Sequence, residues 1–173
     1  ESMISSLQHP ERTLILFDLR SGFPGVSQEF LLVVMEYLGL PVAAMNFSTA
    51  LYDNNRCEIL IDGDTFPGFT MSSGIRQGCP LSPFLFAAVA DVLLRTLKLS
   101  LQDSCTRAFA DGTAMIVRNR WHNAELVFAL FQEFGSVSGL HLNLPKTIVI
   151  PLWDASLEDI KLHVASSLPS LSS

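Results

Sequence analysis

Ser73-Gly74-Ile75-Arg76-Gln77-Gly78-Cys79-Pro80-Leu81-Ser82-Pro83-Phe84-Leu85-Phe86 reads as a loop that turns into a helix. Gly78 lets backbone approach closely, and Gln77 carries an amide that both donates and accepts. Cys79 and Pro80 form the turn. Ser82 is a cap and Pro83 suits the first helical position, so a long helix is predicted from Phe84 to about Leu101. Just upstream, Cys57 to Ile61 and Thr65 to Met71 flank Asp62-Gly63, a hairpin signal because glycine accepts positive φ. Just downstream, Ala108 to Val117 reads as a second hairpin with Asp111-Gly112 at its turn.

Further out the punctuation stays regular. Thr13 to Phe17 is a short apolar run suited to a buried strand; it ends at Asp18, and Gly22, Pro24 and Gly25 break the pattern. Ser27 caps a helix to about Leu38, closed by Gly39 with Pro41 beyond, and a second helix spans Val42 to Tyr52. Asn123 to about Val137 is helical and stops at Ser138-Gly139. Thr147 to Ile150 is a short strand before Pro151, and from Ser156 a weak amphipathic helix fades into serines. The order β-α-α-β-β-α-β-β-α-β predicts an α+β layer, one antiparallel sheet with helices on one face, and excludes a doubly wound parallel sheet.

Length and composition narrow the classes. With 173 residues the chain can bury one substantial core. Hydrophobic residues make up 49% and charged residues only 16%, against roughly 25% in a typical soluble domain. A surface this apolar is expected to be covered by further segments of a longer chain or by a protein partner. A membrane span is not expected, because Asp91, Arg95 and Lys98 interrupt the longest apolar stretch, Leu81 to Leu101. The net charge of −6 opposes free-standing nucleic-acid binding, which needs clustered Lys and Arg. Cys57, Cys79 and Cys105 are unpaired in number and widely spaced, which predicts reduced thiols in an intracellular protein, nuclear or cytoplasmic.

Asp18 and Asp111 each end a strand beside backbone irregularity. Brought together at one sheet edge, they would bind a hard divalent ion such as Mg²⁺ and serve phosphoryl transfer, where metals bridge the attacking and leaving oxygens. Asp-Gly at a hairpin is more often only a turn, and spacing alone does not decide for the metal reading.

The motifs, taken together, resemble a known family. Ser73 to Phe86 is similar to the reverse transcriptase motif G-[VI]-R-Q-G-C-P-L-S-P-x-L-F. Phe17-Asp18-Leu19-Arg20-Ser21-Gly22-Phe23-Pro24 resembles its first aspartate motif, D-F-x-x-A-F-D. Phe109-Ala110-Asp111-Gly112 resembles Tyr/Phe-Ala-Asp-Asp, and Ser138 to Thr147 resembles S-G-L-x-L-N-x-x-K-T. The wording is that of non-LTR retrotransposon and group-II-intron-like enzymes, and the similarity runs from about Leu14 to Pro151. It implies a polymerase palm in a ferredoxin-like arrangement over residues 1–151, followed by a helical, Ser-rich tail over 152–173. Fingers and thumb are expected outside this stretch.

The resemblance also implies roles. Asp18 and Asp111 match metal ligands for Mg²⁺ or Mn²⁺, joined by the Leu19 carbonyl. Phe23 stands at the steric gate that crowds a 2′-OH. Arg76, Gln77 and Gly78 match positions beside the incoming dNTP and template, while Arg76 read by itself is equally a solvated loop charge. Lys146 matches the general acid for pyrophosphate. RNA template and DNA primer are the implied partners. Two positions depart from the pattern: Gly112 replaces the second aspartate of the pair, and Pro24 replaces the aspartate that ends D-F-x-x-A-F-D. These departures predict impaired or absent turnover. They also keep alive a second reading, a non-catalytic protein-interaction module that retains the palm fold.

Overall fold

The computed structural model describes residues 12–102, 104–109, 112–118, 122–154, 156, 158 and 160–162. The elements run β1 (Thr13–Asp18), α1 (Gly22–Gly25), α2 (Gln28–Tyr37), α3 (Val42–Tyr52), β2 (Arg56–Ile61), β3 (Asp64–Thr70), α4 (Ser82–Ser100), β4 (Cys105–Phe109), β5 (Gly112–Val117), α5 (His122–Ser138), a 3₁₀ turn (Leu144–Lys146) and β6 (Ile148–Pro151).

Four strands form the main sheet in the order β4-β5-β1-β6, and every neighbouring pair is antiparallel. With helices between β1 and β4 and between β5 and β6, this is the split β-α-β-β-α-β arrangement expected from the sequence. Side chains alternate across β1. Thr13, Ile15 and Phe17 are buried, whereas Leu14, Leu16 and Asp18 on the other face are half-buried.

The buried face meets three helices. Helix α4 contributes Leu85, Val89, Leu93 and Leu97 at four-residue spacing, which stacks them on one stripe. Helix α5 adds Val127, Phe131 and Phe134, and α2 adds Leu31 and Met35. Phe17 sits at the centre, with ring centroids 4.5 Å from Phe131 and 5.8 Å from Phe128. Truncating such a ring costs about 3–5 kcal/mol. On the opposite face Ile148 and Ile150 are exposed beside Leu16 and Leu14. Among the described residues, the helices therefore cover one side of the sheet only.

The local signals place most ends well. Ser27 Oγ accepts from the Phe30 N–H as a cap, and Gly39 takes φ +68 beyond α2. Helix α3 has the predicted bounds. Four expectations change. Gly22, Phe23, Pro24 and Gly25 do not merely break the chain but wind one helical turn. Ser82 is the first residue of α4 rather than its cap; its hydroxyl donates to the Arg76 carbonyl and accepts no helix N–H as a cap would. The β2–β3 hairpin does not join the main sheet but forms a two-stranded sheet of its own. Gly112 is the first residue of β5 rather than a turn residue, paired to Phe109 and to Asp18. Its neighbour Asp111 lies outside the described residues, as does most of the tail.

Cys57, Cys79 and Cys105 are free. No helix among the described residues is long and apolar enough to cross a membrane.

Candidate active site

The site is built on the last residue of the central strand. Asp18 ends β1, and its Cα partner across β5 is Gly112. On the other edge β6 pairs with Thr13 to Leu16, and the chain before β6 then returns to β1 a second time. The Asp18 carbonyl accepts from the Asn143 N–H at 2.8 Å, Leu19 bridges Leu142, and the Arg20 N–H donates to the His141 carbonyl at 2.8 Å. Between these two pairings the strand makes room for the 3₁₀ turn Leu144–Lys146. This insertion brings Lys146 level with Asp18. In an antiparallel bridge flanked by such bonds, the bridged residue's own N–H and C=O point to the other edge. The Leu19 carbonyl therefore faces the β5 side.

Two groups hold the Asp18 carboxylate. Oδ2 accepts from Asn143 Nδ2 at 3.1 Å and lies 3.6 Å from Lys146 Nζ. The Asp18 side chain is 31% exposed and that of Lys146 70%, so the pair is open to solvent and contributes about 0–1 kcal/mol to stability. Its importance is placement: an ammonium and a carboxylate meet at one sheet end.

A second loop reaches the same region. Gly74 donates to the Val26 carbonyl at 2.7 Å and Ile75 to the Phe23 carbonyl at 2.8 Å, while Gln28 Nε2 donates to the Gly74 carbonyl at 3.1 Å. These bonds seat the loop on the turn that follows β1. Gly74 is required there, since φ is +91 and a Cβ would come within 2.8 Å of the Pro24 carbonyl.

Beyond that anchor, Arg76 Nη2 donates to Asn55 Oδ1 at 2.6 Å. The Tyr52 hydroxyl is buried beside the Arg76 backbone and Ser82 without a well-aligned hydrogen bond among the described residues. Burial raises its pKa above the ordinary tyrosine value, with the Arg76 backbone contact opposing. Gln77 and Gly78 are left exposed, and Gly78, at φ +82, has open space where a side chain would be. Phe23 stacks on Phe86 at 4.7 Å and 20°, half-buried, so one ring face packs on the core.

The structure thus brings Asp18, Leu19 and Lys146 together, and ties Phe23 through one backbone bond to the loop that carries Gln77 and Gly78. Arg76 is exposed and also donates to Asn55. Asp111 lies outside the described residues, although the next residue, Gly112, stands opposite Asp18. Among the described residues no cluster of three His, Cys, Asp or Glu is present. The donor chemistry nonetheless fits a hard cation. Asp18 keeps Oδ1 clear of the Asn143 and Lys146 contacts, and such ions take few carboxylates plus substrate oxygens. Reasoning from sequence missed Asn143, Asn55 and the inward role of Ser82. Asn143 stood in plain view inside the Ser138–Thr147 block.

A split β-α-β-β-α-β sheet with an acidic residue ending its central strand is the architecture of a polymerase palm, though other folds share it. Residues 2–153 match the family of reverse transcriptases (RNA-dependent DNA polymerases), and the chain belongs to that family. It is 28% identical over 167 residues to the retrovirus-related Pol polyprotein from type-2 retrotransposable element R2DM of Drosophila melanogaster, covering 89% of this chain and 16% of that protein. It is 27% identical over 161 residues to the Pol polyprotein from type-1 retrotransposable element R2 of Popillia japonica, covering 87% and 22% respectively. The chain therefore spans less than a quarter of the length of these relatives. Among solved structures, telomerase from Candida tropicalis with a TWJ fragment of telomeric RNA matches with a TM-score of 0.68 at 15% identity, over 85% of this chain and 28% of that one. Telomerase from Candida albicans matches with a TM-score of 0.54 at the same identity, over 82% and 27%. At this identity the likeness concerns the fold.

Proposed function

We propose that this chain is the palm of a retrotransposon RNA-directed DNA polymerase, with Asp18 and Asp111 as cation ligands and Lys146 as proton donor. Residues 1–151 form the catalytic core in this reading and 152–173 lead out of it. The observation that carries it is the meeting of Asp18, Lys146 and the β5 start at the end of the central strand.

The reaction joins the primer 3′-oxygen to the α-phosphorus of a dNTP and breaks the bond to pyrophosphate. A bound Mg²⁺ or Mn²⁺ supplies charge neutralisation at the attacking and leaving oxygens. Asp18 and Asp111 would hold it, with the Leu19 carbonyl on the same side. Lys146 holds a proton within reach of Asp18 and gives it to the leaving pyrophosphate. Phe23, fixed by Phe86, bounds the sugar pocket, and the exposed Gln77-Gly78 pair lies where template and nucleotide would pass. Arg76 supports this loop through Asn55. RNA template, DNA primer and dNTP are the partners, and the place of action is intracellular.

The same reading makes this copy weak. A second carboxylate at position 112 would stand directly across from Asp18, on the same face. If it supplied roughly 4 kcal/mol of transition-state stabilisation, its absence costs about a thousandfold in rate. The test is primer extension on an RNA template with Mg²⁺ or Mn²⁺, with fingers and thumb restored, comparing Gly112 with Gly112→Asp. A gain in the variant supports the proposal. Absence of product from both sinks it.

That second outcome would favour a non-catalytic protein-interaction module. The observation on its side is the β2–β3 hairpin, where Leu60, Ile61 and Phe69 stand exposed.

A further inference from the structure

We infer that Asn143 is the positioning residue that fixes the Asp18 carboxylate and the Lys146 turn relative to each other, a role that rests on Asp18 being the cation ligand. Among the described residues Asn143 makes five hydrogen bonds, which divide between the two groups. Toward β1, its N–H donates to the Asp18 carbonyl at 2.8 Å and its Nδ2 donates to Asp18 Oδ2 at 3.1 Å. Toward the turn, its carbonyl accepts from the Lys146 N–H, the Thr147 N–H and Thr147 Oγ1, each at 3.0 Å.

One residue thus joins the strand end to the segment bearing the ammonium, across 125 positions of sequence. The division between main chain and side chain gives each part its function. The backbone bonds set where Asp18 and Lys146 stand. The side-chain amide sets how the carboxylate turns: with Oδ2 bound to Nδ2 and facing Lys146, Oδ1 is the oxygen presented toward a cation. A carboxylate free to rotate about Cα–Cβ would sample orientations turned away from the β5 side, so a fixed one binds a cation at lower ordering cost.

Because four of the five bonds use backbone atoms or accept at the backbone, Asn143→Ala deletes only the Nδ2–Oδ2 bond and leaves the turn tied. Asn143→Asp keeps shape and volume but replaces the donor with a charged acceptor, so it separates positioning from mere packing. Two measurements on the 173-residue chain decide the matter. Three-bond couplings of Asp18, taken without metal, are expected to report one χ1 rotamer in the parent and averaging in both variants, with thermal unfolding nearly unchanged in Asn143→Ala. Mn²⁺ titration, read as paramagnetic broadening of the Gly112 amide, is expected to weaken about tenfold in Asn143→Ala. A single rotamer retained in both variants, averaging already in the parent, or equal Mn²⁺ affinity in parent and Asn143→Ala would overturn the inference. An absence of Mn²⁺ broadening in the parent counts against Asp18 as a cation ligand, and the couplings then judge the positioning role alone.

Discussion

The dipeptide Asp-Gly stands at two hairpins of this chain, and the two copies have different fates. At Asp62-Gly63 it is the turn itself. Ile61 pairs with Asp64, and both central residues are left-handed, at φ +52 and φ +94, as a two-residue hairpin of this twist requires. Both are exposed. At Asp111-Gly112 the register has moved. Phe109 pairs with Gly112, which also pairs with Asp18, so the glycine is the first residue of a central strand rather than part of a turn. Turn chemistry announces a hairpin in both places. Register alone decides which residue ends up beside Asp18.

The largest effect that would break or confirm this contrast is at Asp18. In the polymerase carrying Gly112→Asp, with fingers and thumb restored, Asp18→Asn is expected to lower primer extension by more than about a thousandfold. Asp62→Asn should leave it unchanged. Next comes Gly112→Asp itself, expected to raise extension roughly a hundred- to a thousandfold. Without metal it should lower the stability of the chain by about 1 kcal/mol in a denaturant melt, because two like charges then face each other across β1 and β5. Lys146→Gln should tighten Mn²⁺ binding by a factor of about two to five, since it removes a competing cation from Asp18, while slowing nucleotide incorporation in single-turnover assays. The smallest effect belongs to the other copy. Gly63→Ala forces a Cβ into a left-handed position and should cost about 1–2 kcal/mol in the hairpin, read by hydrogen exchange of Ile59 and Phe66, with no change in Mn²⁺ affinity.

How much was legible follows the same line between local and distant causes. Helices α2 and α3 were readable because Ser27, Gly39 and Pro41 act within a turn of where they stand. The β2–β3 turn was readable for the same reason. The separation of that hairpin from the main sheet was not, because alternation says that a strand has two faces and not which sheet it joins. Ser82 looked like a cap on local grounds, but the Arg76 carbonyl competes for its hydroxyl. Asp18 and Lys146 were named through the resemblance. The hydrogen bonds that unite them pass through Asn143, whose contacts depend on a 3₁₀ insertion opposite the end of β1 that no periodicity marks. Asn55 is silent in the sequence for a like reason, since its meaning lies in Arg76.

The most direct measurement maps bound Mn²⁺ by paramagnetic broadening of backbone amides in the 173-residue chain and in its Asp18→Asn and Asp111→Asn variants. The expected result is broadening centred on Leu19 and Gly112 that disappears in either variant. Broadening centred on Asp62 to Asp64, or binding that survives loss of either carboxylate, would contradict a cation shared at the end of the central strand.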